Sequence, residues 1–194
     1  MFSDRTRDHG IEKLCRNKKA IYLAPLESTV IPLEIPLAKG GEAFWLDSRI
    51  IGYVEEEDKK LELYAVKVTY EIATEGYAGV LSTPDPPTLL GTFPTTSASN
   101  FRYCPQSGYL VFSDYVYPDG NLTSVREQDE VWESRGDSAY VYDSTYVRHW
   151  DTWVGPKSSS LFSVRLFRDP DYIWHFGPQF VNLLKGTGHV RFPV

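Results

Sequence analysis

The chain has 194 residues, of which 42% are hydrophobic, 24% charged and 14% aromatic, with a formal net charge of -6. Such fractions belong to a globular protein and exclude wholesale disorder. Acidity, with the single basic cluster Arg16-Asn17-Lys18-Lys19, gives no footing for nucleic acid, since phosphate binding needs concentrated Lys and Arg.

Residues 1–41 read as an irregular or loosely stranded lead-in. The opening MFSDRTRDHG sets charges where an export signal needs an apolar core, so no such signal is expected in this chain. Pro25, Pro32, Pro36 and the pair Gly40-Gly41 interrupt the remainder of the lead-in. Cys15 and Cys104 are the two cysteines; they are too few for a disulfide scaffold, and a pair or two free thiols both remain open. No apolar run approaches the roughly 20 residues that cross a bilayer as a helix, so no membrane span is expected.

From Glu42 to Val194 the pattern is that of strands. AFWLDSRIIGYV carries apolar residues on both faces around the polar turn Asp47-Ser48-Arg49, as expected of strand covered on both sides. EEEDKK makes a charged hairpin tip, LELYAVKVTY returns, EIATEGYAGVLSTPDPP is an insertion, and TLLGTFP closes one antiparallel meander. A second unit starts with strands near Phe101–Cys104 and Tyr109–Tyr117 around the turn Pro105-Gln106-Ser107-Gly108. SVREQDEVWESRG then carries a capping-box signature, Ser124 with Glu127 three places on, and predicts a helix from Ser124 to Arg135 that stops at Gly136. SAYVYDS, LFSVRLF and YIWHFGPQFVNLL supply further strands, the last two divided by the turn Arg168-Asp169-Pro170-Asp171. The expected fold is all-β: a partial β-propeller of two to three antiparallel blades with a short inserted helix, or alternatively a β-sandwich, which shows the same short strands and turns.

Sequence motifs for chemistry are sparse. There is no phosphate-cradling G-x-x-x-x-G-K-[ST], no G-x-G-x-x-G after a strand and no G-x-S-x-G nucleophile elbow. No catalytic residue and no cofactor is therefore expected within this chain. His149 and Asp151 form an H-x-D pair, short of the three or four groups that zinc takes, and His9, His175 and His189 stand alone, so no metal is expected. Glu127, Asp129, Glu130 and Glu133 make the predicted helix acidic; they offer carboxylates to a cationic ligand such as a free amino terminus, or form a solvated face with acids near the helix start. Asn121-Leu122-Thr123 is an N-x-[ST] sequon at a turn tip, a glycan site if the protein enters the secretory pathway.

The stretch VYDSTYVRHWDTWVGPKSSSLFSV carries the most specific pattern. It resembles the Y-D-x-x-[YF]-V-R-H-W-D-T-[WY]-V-G segment in the propeller of the secreted fungal dipeptidyl-peptidase V family, a branch of the prolyl-oligopeptidase class of serine peptidases. Matching positions are Tyr142, Asp143, Val147, Arg148, His149, Trp150, Asp151, Thr152, Val154 and Gly155. WLDSRIIGYV and the later Asn182-Leu183-Leu184 are similar to blade strands of that family, whereas residues 1–41 do not match it. The resemblance implies a propeller that screens peptides ahead of an α/β-hydrolase domain bearing the Ser-Asp-His triad. It implies an extracellular enzyme releasing N-terminal dipeptides, whose substrates reach it through the full-length protein. That hydrolase domain is expected to lie outside this chain, leaving the chain a gating or scaffolding portion, catalytically incomplete alone. The alternative is a small β-rich binding or self-associating protein without hydrolysis. Arg148, His149, Trp150 and Asp151 are then either a structural latch, an ion pair flanked by aromatic packing, or a contact to substrate at the propeller pore. Glu127, Glu130 and Glu133 are candidates for holding a peptide amino terminus, by analogy with the propeller carboxylates of related dipeptidyl peptidases.

Overall fold

The computed structural model describes residues 19–24, 31–37, 41–71, 80–136, 148–149, 152–153 and 155–187. These form antiparallel sheets with one short helix, and the fold is all-β as the sequence indicates.

The first meander comprises β3 (Ala43–Trp45), β4 (Ile50–Glu57), β5 (Lys60–Lys67) and β8 (Thr88–Thr92), which pair in that order. Asp58 and Lys59 close the charged tip between β4 and β5 with φ of 47° and 61°, the left-handed pair that a two-residue hairpin turn requires. As expected, β4 is apolar on both sides, and β5, read as a simple return strand, is so too. Val54, Leu61, Leu63 and Ala65 face one cluster of buried residues, and Ile51, Tyr53, Val66 and Val68 face another.

That second cluster also takes in residues from the lead-in, where β1 (Lys19–Leu23) pairs with β2 (Leu33–Leu37), and Ile35 is 5% exposed. Of the two readings of 1–41, irregular or loosely stranded, these residues follow the second: Ile21, Leu23, Leu33 and Ile35 alternate along two strands and cover the face of β4 and β5. The two strands are separated by proline-bearing chain, which hides their alternation in a linear reading. The insertion between β5 and β8 contributes a further pair, β6 (Thr69–Glu71) with β7 (Val80–Ser82).

The second meander pairs β9 (Ser99–Cys104), β10 (Tyr109–Val116), β13 (Ser158–Arg168) and β14 (Trp174–Asn182) in chain order. Between β10 and β13 lie a single 3₁₀ turn, Leu122–Ser124, then α1 (Val125–Glu133), and the two-residue strands β11 (Arg148–His149) and β12 (Thr152–Trp153). The strand expected at SAYVYDS lies outside the described residues.

The two meanders pack face to face over one apolar layer. Leu63, Leu110, Phe112 and Val164 are all but completely buried there. Phe93, on the link from β8 to β9, is its centre: its ring lies 5.1 Å from those of Phe101 and Phe176 and 5.2 Å from that of Phe112. Full burial of such a side chain contributes about 1.5–3 kcal/mol, and each aromatic pair adds about 0.5–1.5 kcal/mol. Strands stack like with like, β3 lying against β9 and β8 against β14.

Polar contacts fix this alignment. One Glu42 oxygen accepts from the amide of Asn100 and the other from that of Phe101 at 3.0 Å, so the start of the first sheet clamps β9. Asp114, 1% exposed on β10, accepts from the hydroxyls of Thr95 and Ser97 and from the Tyr115 amide at 2.7 Å, which staples the inter-sheet link to the second sheet. Burial pushes its carboxyl above the ordinary value, while those donors pull it back.

At Gly91 the two sheets approach so closely that a Cβ would sit 2.4 Å from the Phe176 ring. Gly91→Ala is expected to force the ring aside and cost about 1–3 kcal/mol, as overpacked cores do. Thermal or denaturant unfolding reads the loss, and an unchanged midpoint would count against the close packing.

Candidate functional site

The candidate residues lie in the insertion between β10 and β13, and two apolar anchors and two polar contacts position it. Leu122 and Val125 are each 2% exposed and anchor the 3₁₀ turn and α1 in the main core. Asp129 accepts from the Tyr117 hydroxyl at 3.0 Å and receives Lys157 Nζ at 2.8 and 3.0 Å. Burial first, and Asp129 second, push the Tyr117 phenol up to about 12, so it stays a donor at any physiological pH.

The helix starts differently from the expected capping box. Ser124 has helical φ and ψ, and its side chain makes no cap bond; it donates instead to Asp119 Oδ2 at 2.7 Å and to the Asn121 carbonyl at 3.0 Å. Gln128 Nε2 donates to the same Asp119 oxygen at 3.0 Å and to Ser124 Oγ at 2.8 Å. Capping passes to Asn121, whose Oδ1 accepts from the Thr123 amide at 3.2 Å and opens the 3₁₀ turn. That turn, inserted before the helix, displaces Ser124 from the extended geometry a capping box needs. The other end agrees with the sequence: Gly136 has a φ of 71°, the left-handed position at which helices stop.

Of the four acids on α1, Asp129 points to the sheet, and Glu127, Glu130 and Glu133 are exposed. Arg126 lies 3.6 Å from Glu130, a solvent-facing pair one helical turn apart, worth about 0.3–0.5 kcal/mol. Arg135 stacks 4.3 Å over the Trp132 ring at the helix end. The three solvent-facing carboxylates thus form a stripe, able to attract a cation by charge, and no group of three or more His, Cys, Asp or Glu among the described residues is gathered to hold a metal ion.

In the resemblance segment, Arg148 pairs opposite Trp153 and His149 opposite Thr152, so the chain reverses between β11 and β12. Trp150 and Asp151 lie outside the described residues. An ion pair beside aromatic rings is found among the described residues between the two sheets. Arg168 Nη2, at the end of β13, donates to Asp47 Oδ2 in the turn between β3 and β4. The same guanidinium lies 4.8 Å over the Trp174 ring, and Tyr103 meets that ring edge-on at 6.2 Å. Asp47 is itself held by amides of Arg49 and Ile50 at 2.7 and 2.8 Å. This latch joins the two sheets, and its partners stand 121 positions apart, a separation that no local pattern signals.

Two further polar sites have partners that the sequence does not name. His175, read as isolated, meets Asp169 Oδ2 at 2.8 Å across the β13–β14 turn, and this bond draws the Asp169 carboxyl below the ordinary value. Asn182 accepts from Ser160 Oγ at 2.8 Å and from the Leu184 amide at 3.0 Å, and donates to the Gly120 carbonyl at 2.9 Å, tying the end of β14 to the turn before α1. Cys104 is exposed and free, and Cys15 lies outside the described residues.

Two outcomes are expected. Arg168→Ala should cost about 1–2 kcal/mol in unfolding experiments, between the values for an exposed pair and for a partly buried charged hydrogen bond. The Ser124 hydroxyl, then the Asn121 amide and Gln128, hold the Asp119 carboxyl below its ordinary value. A depressed folded value means stability that is present above the ordinary carboxylate range and lost as pH falls through the folded value. Asp119→Asn should therefore lower the melting temperature at neutral pH, with the gap from wild type closing as pH drops below that range; a constant gap would refute the linkage.

No family model and no solved structure matches the chain. Dipeptidyl-peptidase 5 of Trichophyton equinum and that of Trichophyton tonsurans are each 38% identical to it over 56 residues, and that of Arthroderma benhamiae is 36% identical over the same length. The matched segment is 29% of this chain and spans about 8% of the length of those relatives. A limited region of the chain is thus related to fungal dipeptidyl-peptidase 5.

Proposed function

We propose that the chain is a substrate-gating or scaffolding portion of a serine exopeptidase related to dipeptidyl-peptidase 5, in which its two meanders serve as neighbouring propeller blades. The stacking of like strands, β3 on β9 and β8 on β14, carries this reading. Consecutive four-stranded meanders arranged in that manner are what blades placed radially around a channel require. In the full-length protein, outside the cell, peptides with free amino termini would pass this portion to reach an α/β-hydrolase domain that supplies nucleophile, base and oxyanion donors. Arg148, His149, Trp150 and Asp151 act there as a latch or at the pore, and the stripe of Glu127, Glu130 and Glu133 attracts the cationic end of the peptide.

A second reading, a self-associating β-rich protein, is favoured by one observation. Tyr109, Tyr115, Leu161, Phe167 and Val181 alternate onto the side of the second sheet away from the core and are 37–48% exposed. Such a surface invites a partner.

Purified residues 1–194 are expected to release no dipeptide from chromogenic peptide substrates; measurable release would overturn the gating role. Light scattering behind size exclusion separates the second reading, since a defined closed oligomer supports it and a monomer counts against it. In the full-length enzyme, Arg148→Ala should lower the melting temperature with near-normal KM if the segment is a latch, and raise KM at unchanged stability if it touches substrate.

A further inference from the structure

The gating reading makes no use of the turn ahead of α1, yet that turn presents an exposed asparagine amide. We infer that Asn121 is a site of N-linked glycosylation, taking an oligosaccharide from a lipid-linked pyrophosphate donor. The chain has four asparagines, Asn17, Asn100, Asn121 and Asn182, and Asn121 alone is followed two positions on by Ser or Thr.

The geometry adds to the motif. Asn121 and Thr123 are exposed, while Leu122 between them is 2% exposed and anchors the tripeptide to the core. The Thr123 hydroxyl donates to Asn121 Oδ1 at 2.9 Å and the Thr123 amide to the same oxygen at 3.2 Å. Both bonds draw electron density toward the amide oxygen and make the Nδ2 proton easier to remove. Nδ2 itself has no hydrogen-bond acceptor among the described residues, in contrast to Asn182, whose Nδ2 is committed to the Gly120 carbonyl at 2.9 Å. Gly120, with a φ of 67°, and the Asp119 bond to the Asn121 amide at 3.2 Å hold the loop in this presentation.

In the transfer step, Nδ2 attacks the anomeric carbon of the first sugar. The new bond is from nitrogen to carbon, the carbon–oxygen bond to the pyrophosphate breaks, its electron pair leaves with the lipid pyrophosphate, and the amide proton passes to a base of the transferase. No oxidant or reductant enters.

The proposal rests on the gating reading only for entry into the secretory pathway. The test takes the full protein from the cells that make it, digests it, and treats the peptides with an amidase specific for N-glycans in heavy-oxygen water. The peptide bearing Asn121 should gain a heavy-oxygen Asp at this position. Thr123→Ser should keep the modification, and Thr123→Ala should abolish it. Asn121→Asp should abolish it too, while retaining an Oδ1 to cap the 3₁₀ turn, so its melting temperature tracks that of enzymatically deglycosylated wild type. Exported protein with unmodified Asn121 would overturn the site and leave the gating reading standing. Protein confined to the cytosol with unmodified Asn121 would overturn the site together with the extracellular placement.

Discussion

The apolar layer between the two four-stranded sheets carries the rest of the structure, and Phe93 is its most demanding member. A phenylalanine on a connecting link would ordinarily sit at the surface. Here it fills the space where β9, β10 and β14 converge, and its position forces the link to cross the layer at one place. The buried Asp114 follows from that crossing: Thr95 and Ser97 need acceptors once their segment is drawn against β10, and a carboxylate on the core side of the strand meets both. Gly91 and Glu42 express the same constraint at the two ends of the stack, one by leaving room for Phe176 and the other by clamping the amides of β9.

With the layer fixed, functional groups are confined to what projects from it. The insertion between β10 and β13 leaves the sheet, carries the acidic stripe and the sequon, and returns, while the strands that flank it keep their register over eight paired positions. The stripe is consequently a surface feature, open to a partner from solvent. Exposed carboxylates on such a stripe act by electrostatic attraction of cationic groups at the surface.

Sequence patterns revealed the strands best where burial is two-sided or strictly alternating. The two apolar faces of β4, the charged tip at Asp58 and Lys59, and the stop at Gly136 were all readable from local composition. Contacts between distant positions were not. Asp47 with Arg168, Glu42 with Asn100, and Asn182 with Gly120 depend on how the sheets stack, which a linear pattern does not encode. The capping box at Ser124 misled for a related reason: a tight turn opened by Asn121 came first and took over the cap. In the lead-in, prolines between β1 and β2 break the alternation that their pairing restores, so strand character was legible there only loosely.

Asp129 offers a last consequence. Its two partners, Tyr117 and Lys157, are the residues immediately after β10 and immediately before β13. A carboxylate in the middle of the insertion thus ties both of its ends to one point. For a chain that must search for strand partners, the entropy lost in closing a long segment grows with the logarithm of its length. Once α1 is formed, this three-residue knot divides that segment into two shorter loops, so the pairing of β10 with β13 inherits a smaller search than the sequence separation implies. The insertion is thereby a spacer that assists the sheet it interrupts.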